Sequence, residues 1–135
     1  MAGHNDAIID EFRSNGGKVG GHFARMNLLL LTTTGARSGQ PRTSPVAYRA
    51  DGDRLLVFAT YAGRDENPLW YRNLVADPKV TVEVGTETYQ ATATPLTGDE
   101  RDREWRAMVA QVPAFGDYET RTTRVIPVVA LERTP

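Results

Sequence analysis

The 135-residue chain contains no cysteine, which excludes disulfides, thiolate metal ligands and a cysteine nucleophile, and removes the usual sign of an oxidising compartment. Histidine is scarce as well. Only His4 and His22 are present, in no metal-ligand spacing, so a histidine-built metal centre or a Ser-His-Asp hydrolase lacks its parts. Solvated loop or packing positions suit both, and no metal site is expected. Long apolar runs are missing too: Leu28 to Leu31 is the longest, far short of a membrane span. The start Met1-Ala2-Gly3-His4-Asn5-Asp6 lacks the basic region and apolar core of a secretory signal. A formal net charge of −1, from 16 Lys+Arg against 17 Asp+Glu, gives no reason to expect nucleic acid or an acidic membrane as partner. A soluble cytoplasmic protein is the expectation, with peripheral membrane contact through the N-terminal helix left open.

A chain of this length holds one domain with a proper core and is too short for two ordinary ones, so residues 1–135 are read as a single domain. Residues 1–22 are its N-terminal helix and glycine-rich segment. The helix is expected over Asp6 to Ser14, with Ile8, Ile9 and Phe12 on one stripe and Asn15-Gly16-Gly17 as the stop. Gly16, Gly17, Gly20 and Gly21 around Lys18 then form either a linker or a backbone able to close over a ligand. Extended runs follow at 27–34, 43–50 and 54–61, rich in β-branched and aliphatic residues, with Asp51-Gly52 as a type I′ hairpin signal. Asn67 as N-cap and Pro68 at the first helical position open a helix that Asp77-Pro78 ends. Strands at 79–84 and 88–94 turn near Gly85, and Val80, Val82 and Val84 alternate onto one buried face. Thr97-Gly98-Asp99-Glu100 has capping-box spacing, and Trp105, Met108, Val109 and Val112 recur at helical intervals, which puts Trp105 in the core. A last strand is expected over Arg124 to Leu131. Many short strands with a few interposed helices predict a mainly β (α+β) fold, a closed or nearly closed antiparallel β-barrel with flanking helices.

Three blocks carry candidate chemistry. In Gly35-Ala36-Arg37-Ser38-Gly39-Gln40-Pro41-Arg42, two glycines let backbone amides face a ligand, Ser38 offers a hydroxyl, and Arg37 and Arg42 can fork onto phosphate or carboxylate oxygens. Ordinary hairpin chemistry explains the composition equally well. A P-loop is excluded, since the Lys-Ser/Thr ending is absent and a strand follows; a Rossmann fingerprint is absent too. In Asn67-Pro68-Leu69-Trp70-Tyr71-Arg72-Asn73-Leu74, adjacent aromatics on one helix point different ways. Trp70 offers a flat wall and Tyr71 and Asn73 can hydrogen-bond a ring edge, unless the aromatics only pack. Phe115 and Tyr118, three residues apart after Pro113 and close to Arg121 and Arg124, share a helical face. They form either an aromatic lid over an organic substrate or a structural cluster. Neither aromatic block holds an acid/base pair.

These residues together resemble the deazaflavin-dependent nitroreductase family of actinobacteria, small oxidoreductases that use coenzyme F420. The likeness rests on residues 30–42, on 67–74, on Asp77-Pro78 with Val80, on the closing Arg124-Val125-Ile126-Pro127-Val128-Val129, and on the N-terminal stretch Glu11 to Gly20. It implies a split β-barrel of the flavin-reductase/FMN-binding type, with the deazaflavin in a groove and its phosphate and glutamate tail near the basic turn. By position, Ala36, Arg37 and Ser38 meet the tail; Arg42, Thr43, Ser44, Pro45, Val46 and Ala47 run along the cofactor; Phe58, Ala59, Thr60, Tyr61, Leu69, Trp70, Tyr71, Arg72 and Asn73 line the rest. Some members carry a lysine where this chain has Tyr61, and Arg64 is the nearby substitute. The substrate-side aromatics differ from the nitroimidazole-reducing type, since Val112, Phe115 and Tyr118 stand at positions that tyrosines occupy there, and these three border the substrate. The resemblance implies hydride transfer from C5 of the reduced deazaflavin to an electron-poor acceptor: an activated alkene, a quinone or a nitroaromatic. The cofactor carries the hard chemistry. Tyr118 or solvent returns a proton, and Thr60 orients an acceptor oxygen. FMN as cofactor and a noncatalytic deazaflavin carrier are the alternatives, and a monomer is preferred over a homodimer.

Overall fold

The computed structural model describes residues 4–19 and 27–134. Among them are six strands and four helices: α1 (His4–Ser14), β1 (Leu28–Thr34), β2 (Pro41–Asp51), β3 (Arg54–Phe58), α2 (Leu69–Ala76), β4 (Lys79–Val84), β5 (Glu87–Pro95), α3 (Gly98–Gln111), α4 (Ala114–Thr120) and β6 (Val128–Arg133). The strands close an antiparallel barrel in the order β1-β2-β3-β6-β5-β4. Closure leaves no strand edge open to a foreign chain. Gly20, Gly21 and His22 lie outside the described residues. No helix among the described residues is long and apolar enough to cross a membrane.

Alternation along the strands sorts side chains into two cores. Leu29, Leu31, Val46, Val57, Val80, Val82, Val129 and Leu131 pack together, and α2 adds Leu74. On the opposite face of β3 and β6, Leu56, Phe58, Val128 and Ala130 meet Trp105 and Met108 of α3 and Phe115 of α4. Each fully buried Leu, Val or Phe contributes roughly 1.5–3 kcal/mol, so both clusters are needed. The leucine run in β1 reads as continuous because both faces are covered: Leu30 packs against Ile9 and Phe12 of α1.

Several local expectations shift by physical cause. The Asp51↔Arg54 pairing makes Gly52-Asp53 the turn, and of these two only Gly52, at φ 60°, lies in the left-handed region. The turn is therefore type II′ rather than I′. Pro68, extended at ψ 156°, occupies the N-cap of α2 in place of Asn67. Thr97 stands at the N-cap of α3 without a side-chain bond, and the Glu100 carboxylate that a capping box would turn back to the Thr97 N–H is engaged by Arg54 Nη2 at 3.0 Å. The last strand begins at Val128 rather than Arg124, since the Arg124 side chain ties its own loop to another segment. Gly16-Gly17 is no free linker: a Cβ on Gly17 would stand 2.7 Å from Gly85 Cα, so the end of α1 packs on the β4–β5 turn.

Candidate cofactor site

The turn between β1 and β2 is largely self-built. Gly35 N–H donates to Gln40 O at 2.8 Å and Gly39 N–H to Gly35 O at 2.9 Å, with Gly39 at φ 70°. A Cβ on Gly35 would sit 2.5 Å from Ser38 Oγ, so glycine lets the Ser38 hydroxyl fold over the turn. Ser38 Oγ accepts the Gln40 N–H at 3.1 Å, leaving its hydroxyl proton to donate elsewhere. One remote clamp is added. Asn73 of α2, 6% exposed, accepts Ala36 N–H at 3.0 Å and donates to Thr33 Oγ1 at 3.1 Å. Its amide thus ties the turn and β1 to α2.

The backbone amides of Arg37 and Ser38 donate to no protein acceptor among the described residues. Arg37 and Arg42 are exposed and, among the described residues, neither forms an ion pair. These groups face a cleft of about 1050 Å³ that also takes in Thr43, Ser44, Leu69, Trp70, Arg72 and Asn73. Two other arginines of the cleft are neutralised: Arg13 donates to both carboxylate oxygens of Glu83 at 3.0 and 2.9 Å, and Arg72 pairs with Glu66 at 3.3 Å. The free cations are therefore the two on the turn. Sequence reasoning missed the third wall, where α1 contributes Asp6, Ile9, Asp10 and Arg13. Only the polar stripe opposite Ile9 and Phe12 could have signalled it.

Other expected residues lie elsewhere. Val46, 5% exposed, turns into the first core, and Phe58, at 4%, into the second; alternation and the end of β3 remove both side chains from any ligand. Ala59 is fully buried, and Tyr71 packs against the first core. Pro45, Thr60 and Tyr61 are also outside the cleft. Ala47, Val112 and Phe115 line a second hollow of about 230 Å³ with Tyr48, Met108 and Gln111. Phe115 is a fixed wall there, not a lid. Its ring lies 6.2 Å from Trp105, stacked at 29°, and 5.9 Å from Phe58, edge-on at 73°. Tyr118 lies 5.7 Å from Phe115, with the Arg121 guanidinium over its ring.

The connector from β3 to α2 holds Thr60 and Tyr61. Tyr61 has φ 47°, a costly conformation for a residue with a Cβ. A short 3-10 turn maintains it, with Gly63 N–H on Thr60 O at 2.9 Å and Arg64 N–H on Tyr61 O at 3.1 Å. The Arg64 guanidinium lies 4.7 Å from the Tyr61 ring centroid, so a cation does stand beside position 61. Arg124, from the loop before β6, spans the whole connector. Its Nε donates to Arg64 O at 2.7 Å, Nη1 to Ala59 O and Asn67 Oδ1 at 3.0 Å, and Nη2 to Thr60 O at 2.6 Å. Burial lowers its pKa from the usual arginine value, with Asp65 opposing; the group stays charged at neutral pH.

A closed antiparallel barrel with an arginine-bearing, amide-lined cleft beside an indole is a cofactor-binding split β-barrel. The family model for F420H(2)-dependent quinone reductase matches residues 7–133, and the chain belongs to that family. It is an F420-dependent oxidoreductase, so neither FMN nor a carrier role is needed to account for it. Among its relatives is an F420H(2)-dependent quinone reductase of Mycobacterium tuberculosis strain H37Rv, 38% identical over 133 residues, 96% of this chain and 87% of that one. The solved F420-H2 dependent reductase FDR-A is 36% identical with a TM-score of 0.72, over 78% of this chain and 94% of that one. Another solved chain, 33% identical with a TM-score of 0.74, covers 93% of this chain and 92% of its own and is described as a domain-swapped dimer.

Proposed function

We propose that the protein reduces a quinone with the two electrons of reduced F420, and that the basic cleft holds the charged tail of the coenzyme. The observation that carries this is the pair of ion-pair-free guanidinia, Arg37 and Arg42, set with two unengaged backbone amides at one wall of the cleft. That donor set suits phosphate and carboxylate oxygens. Ser38 contributes its hydroxyl proton, Thr43 and Ser44 continue the wall, and Trp70 gives an apolar face for a flat ring. When bound, the coenzyme supplies a hydride donor, which removes the need for a histidine or cysteine catalyst.

The remaining work falls to the chain. Quinone reduction takes up one hydride and one proton, giving hydroquinone and oxidised coenzyme. Tyr118 stands at the rim of the Phe115–Trp105 cluster with a hydroxyl that can donate the proton. The Thr60 hydroxyl makes no hydrogen bond to protein among the described residues and is available to orient an acceptor oxygen. Arg64 supplies the cation beside Tyr61. The hollow bordered by Ala47, Val112 and Phe115 favours an apolar acceptor body, and nitroaromatics and activated alkenes are secondary acceptors. The reaction is placed in the cytoplasm. Titration with oxidised F420, followed by its fluorescence, should saturate, and reduced F420 should be oxidised by menadione. Absence of binding at tens of micromolar would overturn the reading, and binding without turnover would indicate a carrier.

A further inference from the structure

Beyond Phe58 the connector leaves the sheet, because β3 loses its partner where β6 begins at Val128. Its carbonyls must then find donors outside any ladder. Ala59 O, Thr60 O and Arg64 O converge, with Asn67 Oδ1, on one guanidinium. A planar group with donors in fixed directions sets the orientation of each peptide it binds, which a lysine ammonium does not. The connector also touches α4 through backbone: a Cβ on Gly63 would lie 2.8 Å from Tyr118 O and 2.9 Å from Arg121 Cβ. Its shape and the placement of Tyr118 are therefore coupled.

We propose that Arg124 is a positioning residue for the reductase: by gathering these four oxygens it holds Thr60 and the strained Tyr61 in their working geometry, with Gly63 seated against α4. The inference rests on the reading of Thr60, Arg64 and Tyr118 given under Proposed function. Arg101 provides an internal contrast. It is the more deeply buried of the two, and its Nε and Nη2 donate to Ile126 O at 3.1 and 2.6 Å, so it braces the same loop from α3 without touching the connector.

The test compares Arg124→Met, Arg124→Lys and Arg101→Met using two fluorescent probes, oxidised F420 and the deazaflavin riboside that lacks phosphate and glutamate. Arg124→Met should weaken both probes by a common factor of about tenfold, lower kcat for menadione as well as raise KM, and speed hydrogen exchange at the Gly63 and Arg64 amides. Arg124→Lys should fall between the extremes, and it decides the matter by the same ratios if the methionine variant does not fold. Arg101→Met should lower Tm while both Kd values and kcat stay within about twofold. Retention of riboside affinity and kcat in the Arg124 variants would overturn the positioning role, as would equal losses in Arg101→Met. Failure of the unaltered protein to bind F420 would overturn the deazaflavin reading and this inference with it.

Discussion

Two irregular segments flank the chemistry, and they are held in opposite ways. The 35–42 turn closes on itself through Gly35–Gln40, Gly39–Gly35 and Ser38–Gln40 bonds, with Asn73 as its one distant clamp. The 59–67 connector makes its 3-10 turn and the Arg64–Tyr61 bond locally and is otherwise held from afar: by Arg124, which reaches Ala59 across 65 residues, by Pro127 O on Ala59 N–H and by Thr122 on Asp65. A self-held turn can leave its amides and arginines free for a ligand. A segment held from afar transmits displacement between the elements it joins, here β3, α2 and α4.

Substitutions can break this contrast in order of expected size. Gly63→Ala should be the most damaging, at about 3 kcal/mol, because the new Cβ meets backbone at a left-handed position. Urea unfolding measures it, and a loss under about 1 kcal/mol would show that connector and α4 are not locked together. Arg37→Ala should weaken F420 binding by about 1.5–3 kcal/mol while moving stability by no more than about 0.5 kcal/mol. Unchanged affinity in the titration would remove Arg37 as an anchor. Gly35→Ala should cost only about 1 kcal/mol, since the obstructing atom is the Ser38 hydroxyl, which can rotate away and release the Gln40 amide. Thermal unfolding reads this, and a cost matching Gly63→Ala would erase the distinction between the segments. Arg13→Ala, outside both, removes an exposed ion pair and should cost about 0.5 kcal/mol; a larger loss would mean that α1 depends on Glu83 for docking.

Much of the barrel was legible because period-two alternation and turn residues are local. The strands at 79–84 and the pairing of the first three follow from them, as does Trp105 in the core. The basic turn was legible for the same reason, since its glycines and arginines act within eight residues. That Val46 and Phe58 are buried in the two cores, and that Phe115 packs in one of them while bordering the second hollow, was not legible because residue type does not reveal which face of a strand or helix a second layer covers. The clamp by Asn73 was not legible because its partners, Thr33 and Ala36, lie some forty positions upstream. The wall formed by α1 was not legible, since only docking on β1 and the Arg13–Glu83 pair bring it to the cleft.

By itself the sequence determined the strand pattern, the place of the Gly35–Arg42 turn and the lack of a cysteine nucleophile, all of which depend on composition or on neighbours within a turn. Tertiary structure alone decided that Arg37 and Arg42 stay unpaired while Arg13 and Arg72 are neutralised, and that Arg124 shapes the connector. Charge pairing and carbonyl capture depend on distances of a few ångströms between residues far apart in the chain, and only folding sets those distances.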